Sequence, residues 1–180
     1  MKKYFKHFIK ELIPVLLGVL IALWINNWNE DRKDREYIRN FYSSLSDELR
    51  DTNEEIIEVT PFQEQLVDTL EFYSSDNQIS LMEVIEKAGG LKGPFIQLNY
   101  WKALSNSKIE LIEYEKLSIL ADIEDASELL KINRNKLIDY VYENMIETGT
   151  VEKAVFKNMM VQAIRTQKEI QMEIQKILDE

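Results

Sequence analysis

Residues 12–25, LIPVLLGVLIALWI, carry no charge and lie near the N-terminus, and no other feature constrains the chain as strongly. In a helix these fourteen residues cover roughly 21 Å, less than the hydrocarbon core of about 30 Å. A run this short also occurs in signal peptides and in buried core helices, so its flanks decide. Asn26, Asn27 and Trp28 extend the segment at the interface to residues 12–28, the lower end of the usual range for a span. Lys10, with Lys2, Lys3 and Lys6, can reach the headgroups at the other end, beside Tyr4, Phe5 and Phe8. Trp24 and Trp28 stand four apart on one helical face, where an aromatic belt belongs. Ten of the fourteen residues are Leu, Ile or Val, contributing on the order of −3 to −6 kcal/mol to insertion.

The residues after the run offer no small-x-small cleavage site, so the expectation is a signal anchor that stays in the protein. Gly18 and Ala22 form a small-xxx-small pair through which two such helices could approach closely, although both residue types are ordinary in membrane helices. Lysine and arginine counts tie at four on each side of the run, in the tail and in the stretch Arg32, Lys33, Arg35, Arg39. The tail is the more compact basic cluster, because the opposite group is interleaved with Glu30, Asp31, Asp34 and Glu36. That favours the N-terminus in the cytoplasm and the larger part of the chain outside it.

Beyond the run, about 150 residues are enough for one domain with a core. From Glu30 to Glu180 there are 18 basic and 31 acidic residues, a net charge of −13. Such a surface repels nucleic acid and anionic headgroups. With no cysteine, the chain has no disulfide, thiol nucleophile or cysteine metal site. Its single histidine, His7, sits in the basic tail, so di-metal sites of the carboxylate/histidine type are excluded.

The spacing of apolar residues predicts an all-α domain. Ile38, Tyr42, Leu45, Leu49, Thr52, Ile56 and Val59 recur at alternating steps of four and three, a narrow helical seam. No Gly or Pro falls between Leu20 and Thr60, so the span is expected to continue into this helix. Thr60, Pro61 and Gln63 have the pattern of a capping box that restarts the helix, with Phe62, Leu66, Leu70 and Tyr73 facing the core. Ser80 and Glu83 suggest a second box, for a short helix ending at Gly89-Gly90. Pro94 is expected to open the next helix, with Phe95, Leu98, Trp101 and Leu104 on one face, before a break near Ser105–Ser107. Two longer helices follow, about Glu113–Glu147 and about Val151–Leu178. In the last, Phe156, Ala163, Ile170 and Ile177 recur every seven residues, with Met160, Gln167 and Ile174 between them. Gln167 in this apolar seam could set register or oligomeric state, or be a half-exposed polar residue of a bundle helix.

No constellation of residues points to a reaction. Asp47, Asp51, Glu54, Glu55 and Glu58 form an acidic strip best read as a solvated face. Gly89-Gly90-Leu91-Lys92-Gly93-Pro94 lacks the spacing of a phosphate loop and reads as a turn between helices. Trp101 reads as core. No Gly-x-Ser-x-Gly or comparable nucleophile motif occurs. Catalytic, cofactor and metal residues are therefore not assigned, and a non-enzymatic role is expected.

The segment Gly18 to Glu30, GVLIALWINNWNE, resembles the signature of an uncharacterised family of small bacterial membrane proteins. In that family an N-terminal span ends in an apolar-Asn-Asn-Trp-Asn-Glu motif and precedes a helical domain of unknown function. Tyr100 to Ile112, YWKALSNSKIELI, is similar to the family's aromatic-x-x-Leu-x-Ser segment, with Asn106-Ser107 where the family carries a glycine. The resemblance implies an anchor followed by a helical domain in a bacterial inner membrane, and it supplies no activity or ligand. The expected layout is a basic tail over residues 1–11, a span over 12–28 and an acidic helical bundle over 29–180. Expected partners are the bilayer and either a second copy of the chain or another membrane protein. A small-molecule ligand sensed outside the membrane is the alternative.

Overall fold

The computed structural model describes residues 2–179, with side chains described from Leu12 onward. Among them are five α-helices, one short 3-10 turn and no strand. The helices are α1 (Lys2–Phe72), α2 (Leu81–Lys87), α3 (Asn99–Ser105), α4 (Tyr114–Asn144) and α5 (Thr150–Leu178), with the 3-10 turn at Ile109–Leu111. The chain divides into two units, Met1–Tyr42 and Ser43–Glu180.

In the first unit, residues 12–28 are helical and every one of their side chains is exposed. Near its end the Phe41 and Tyr42 rings meet edge-on at 5.3 Å between centroids.

The second unit is a helical bundle. Its part of α1 buries Leu45, Leu49, Thr52 and Ile56, as the alternating spacing predicts. The expected restart at Thr60 does not occur, because α1 runs through Pro61 to Phe72. Thr60 Oγ1 donates to the Ile56 carbonyl at 2.7 Å instead of capping a new helix. The physical reason lies in the seam, which continues beyond Val59 as Gln63, Leu66 and Leu70, all buried. A proline inside a helix costs about 3 kcal/mol, and burial of Leu66 and Leu70 offsets that. Phe62, expected to face the core, is instead 43% exposed, since the uninterrupted helix turns position 63 inward in its place.

α5 lies antiparallel to this part of α1. Lys157 pairs with Glu71, Lys168 with Glu64 at 3.0 Å, and Gln171 Nε2 donates to Asn53 Oδ1 at 3.0 Å. α4 and α5 pack together as a hairpin, with the Tyr140 and Phe156 rings stacked at 6.3 Å. Ser80 and Glu83 form the expected capping box at α2. α2 closes on Gly89 and Gly90, whose φ angles of 90° and 93° lie in the left-handed region that glycine tolerates.

Pro94 does not open a helix. Residues 90–98 are irregular, Pro94 is buried, Phe95 is exposed and α3 begins only at Asn99. Leu98 offers no side-chain cap to α3. Glu48 of α1 supplies one, accepting from the Asn99 and Tyr100 amides at 2.8 and 3.1 Å. A carboxylate at a helix N-terminus meets both its orphan N–H groups and its dipole. Glu55, about two turns further along α1, accepts from the Phe95 amide at 2.8 Å. At this member of the acidic strip, then, the side chain pins the connection to α3 rather than only facing solvent.

Candidate functional site

Two features merit description as sites: the exposed apolar stretch of α1 and a cavity inside the second unit. In the first, Trp24 and Trp28 are both exposed, as are Asn26 and Asn27. Asn26 Nδ2 donates to Glu30 Oε1 at 3.3 Å along the helix, and the Arg32 guanidinium lies 5.8 Å from the centre of the Trp28 ring. A Cβ built on Gly18 would meet nothing within 4 Å, so the Gly18/Ala22 face is open. The side chain of Lys10, expected at the opposite interface, lies outside the described residues. Within the described residues this is the one helix long and apolar enough to cross a membrane, and none of its apolar window is buried.

Phe156, Ala163, Gln167, Ile170 and Ile177, the helix-packing candidates of α5, are all buried on one face of that helix. Their neighbours belong to the same chain, so this seam is occupied within the bundle. Gln167 is 1% exposed, not half-exposed.

The same face holds a residue that sequence reasoning passed over. Lys153 is 0% exposed, and its Nζ donates to the carbonyls of Asp76 and, at 3.1 Å, of Thr148. It ties the loop after α1 to the α4–α5 turn. The seam spacing could have flagged it, because 153, 156, 160, 163, 167, 170, 174 and 177 form one series of alternating steps of three and four.

The cavity lies between α1, α4, α5 and the loop at residues 91–94, with a volume of about 190 Å³. Leu130, Leu137, Met160 and Ala163 supply apolar walls. Gln63 and Gln167, 104 positions apart in the chain, both line it. Gln63 is 2% exposed and its Nε2 donates to the Lys92 carbonyl at 3.1 Å. The Oε1 atoms of both glutamines are buried and accept no hydrogen bond among the described residues. An amide oxygen buried without a donor costs about 1–3 kcal/mol. Gln63 was expected to serve a capping box; extending the seam by one heptad would have shown it to be an inward polar residue. The two charged residues that line the cavity, Lys92 and Arg134, are both basic, and no carboxylate does. Arg134 makes no ion pair among the described residues, whereas the Lys92 ammonium lies 3.4 Å from the centre of the Phe62 ring.

Two titrating groups are displaced from their ordinary ranges. The Ser80 backbone amide, then its hydroxyl, hold the Glu83 carboxyl below the usual glutamate range, with donor distances of 2.8 and 2.7 Å. Burial first, and the nearby Glu152 charge second, push the Tyr140 hydroxyl up. Neither group lines the cavity. Among the described residues no three His, Cys, Asp or Glu side chains are grouped to hold a metal ion. No protein-family model, curated protein or solved structure matches this chain.

Proposed function

We propose that the chain is a membrane-tethered helical domain that acts by binding rather than by catalysis. Residues 12–28 would form its single span in a bacterial inner membrane, with the N-terminus cytoplasmic and the helical unit on the outer side. The observation that carries this reading is that every residue from 12 to 25 is exposed on one helix. Left in water, their ten Leu, Ile and Val side chains forgo on the order of 15–30 kcal/mol of burial, more than the whole stability of a typical domain. Lipid, or lipid together with a partner helix, removes that cost.

Partners of the helical unit follow from what it leaves outside. Its two long seams are filled from within, so contact falls to side chains such as Phe72, Tyr142, Ile146 and Val151, which are exposed where α1 ends and α4 turns into α5. That these lie at one end follows from the Lys157–Glu71 pair and from the Leu81 amide donating to the Glu147 carbonyl at 2.9 Å. A second copy or another membrane protein is the expected partner.

The test is extraction of membranes at alkaline pH. The native chain should stay with the lipid, and the double variant Leu16→Lys, Leu20→Lys should be released, because each lysine near the centre of a span adds about 2.5–3.5 kcal/mol to insertion. Release of the native chain would refute the span. A reporter fused after Glu180, active on one side only, should be active outside the cytoplasm, and activity inside would refute the orientation. A photo-reactive residue at Ile146 should give membrane adducts, and their absence would remove the partner reading.

A second reading, a ligand-sensing domain, is favoured by the cavity of about 190 Å³ between α1, α4 and α5, with its apolar walls and two basic side chains.

A further inference from the structure

We infer that one end of the helical unit is a docking surface for a basic amphipathic helix of another protein. The inference rests on the binding reading, whose partner it names by chemistry, and does not depend on the span.

Two stretches build this end. Residues 68–86 hold the last residues of α1, the loop after it and most of α2, and residues 137–156 hold the close of α4 and the start of α5. Backbone hydrogen bonds join them: the Leu81 amide donates to the Glu147 carbonyl at 2.9 Å and the Met82 amide to the Met145 carbonyl at 3.0 Å.

The surface is apolar at its centre. Phe72, Tyr142, Ile146 and Val151 are 65–80% exposed, and beyond residue 28 only Tyr114 among the described large apolar side chains is as exposed. Tyr142 and Ile146 stand four apart as α4 closes, and Val155, also exposed, stands four after Val151 on α5. That spacing sets each pair one helical turn apart, so the side chains adjoin along the outside of the hairpin. Apolar side chains grouped in this way mark a contact surface.

Its charge has one sign. The two stretches together contain nine Asp and Glu residues and a single basic residue, Lys153. Lys153 is buried against two carbonyls and does not reach the surface. The lysines that border the stretches are already engaged at this end: Lys157 pairs with Glu71, and the Lys87 ammonium lies 5.9 Å from the centre of the Tyr73 ring. Asp139, Glu143 and Glu147 are exposed beside Tyr142 and Ile146 and form no ion pair among the described residues.

These two properties select the occupant. A two-fold contact with a second copy would set the same carboxylates against each other, and an anionic lipid surface would be repelled for the same reason. A complementary surface combines apolar anchors with cations. A helix with apolar residues three and four apart and Lys or Arg on both flanks carries both on one short segment. The anchors would supply affinity, and the carboxylates would select the partner and speed its encounter.

The test uses the full chain in a neutral detergent and two labelled peptides, read by fluorescence anisotropy against empty micelles. One peptide is an amphipathic helix of leucine and lysine, and the other is its twin with glutamate at every lysine. The lysine helix should bind at least about tenfold more tightly than its twin, and more weakly as ionic strength rises from about 0.05 to about 0.5 M. Glu143→Gln combined with Glu147→Gln should weaken it about threefold, the loss expected for two exposed ion pairs. Ile146→Ser should weaken it about tenfold. Asp122→Asn combined with Asp125→Asn removes the same charge from exposed positions roughly 27 Å along α4 from Glu143, and should leave binding unchanged. All these positions are exposed, and circular dichroism confirms that each variant folds. Equal binding of the two peptides overturns the inference, as does an Asp122/Asp125 variant that weakens binding as much as the Glu143/Glu147 variant. The photo-reactive residue at Ile146 separates this inference from the binding reading. Adducts to another protein, without a preference for the lysine helix, leave the binding reading standing and overturn the inference. Adducts with the mass of two chains assign the surface to a second copy and also overturn it. Absence of adducts overturns both.

Discussion

Replacing Gln167 by leucine should make the protein more stable. The side chain is 1% exposed and sits in a series whose neighbours one turn away, Ala163 and Ile170, are buried and apolar. Its Oε1 has no donor. Removing a buried acceptor that lacks a partner recovers about 1–3 kcal/mol, and leucine keeps much of the volume, with the adjoining cavity to absorb the branched end. Taking about 2 kcal/mol as the midpoint, the expected rise in Tm is roughly 4–8 °C for a chain of this length. The assay is thermal unfolding of the full chain in detergent, followed by far-UV circular dichroism. Gln167→Ala is the control: it removes the same acceptor but enlarges the cavity, and the lost contacts offset the gain, so its Tm should fall below that of the leucine variant. A Tm of Gln167→Leu equal to or below the native value would refute the reasoning, because it would mean that the amide oxygen is satisfied in the folded protein.

Three further outcomes follow. Pro61→Ala should raise stability by about 3 kcal/mol, because an exposed proline within α1 withholds one helical hydrogen bond; a fall in the urea midpoint would contradict an uninterrupted α1. Glu48→Ala should cost about 1–2 kcal/mol and speed hydrogen exchange at the Asn99 and Tyr100 amides it receives, whereas unchanged exchange there would show that α3 is capped by other means. Glu83 has a folded-state pKa below its unfolded value, so its contribution is present above the ordinary glutamate range and is lost as pH falls through the lowered pKa. The Tm difference between the native chain and Glu83→Gln should therefore shrink on acidification, and a difference that grows would reverse the sign of the argument.

Much of the architecture was legible in the sequence because helical packing leaves a local trace. The seam from Leu45 to Ile56, the box at Ser80 and Glu83, the glycine stop after α2 and the α5 series ending at Ile177 all depend on residues within one or two turns of each other. Where local signals competed, sequence reading followed the stronger word and the fold followed the sum. Thr60-Pro61-Phe62-Gln63 has the composition of a helix start, but the apolar spacing on either side stays in phase, and burial of Leu66 and Leu70 outweighs one lost hydrogen bond. Pro94 likewise has the look of a first helical residue, yet a buried position in an irregular loop held by Glu55 and Gln63 claims it.

By itself the sequence determined that the chain is helical, that residues 12–28 are apolar enough to need cover from water, and that the remainder is acidic with a narrow inward seam on each of two long helices. Periodicity and composition carry these properties, and both can be read without knowing which helix meets which. Only the tertiary structure decided that Gln63 and Gln167 share one cavity, that Arg134 lines it, that Glu48 caps a helix 51 residues away and that Lys153 is buried against two carbonyls. Each depends on a pairing between distant segments. An unpartnered polar atom inside a seam says only that something must meet it, and the identity of that partner is set by what the fold brings to the other side.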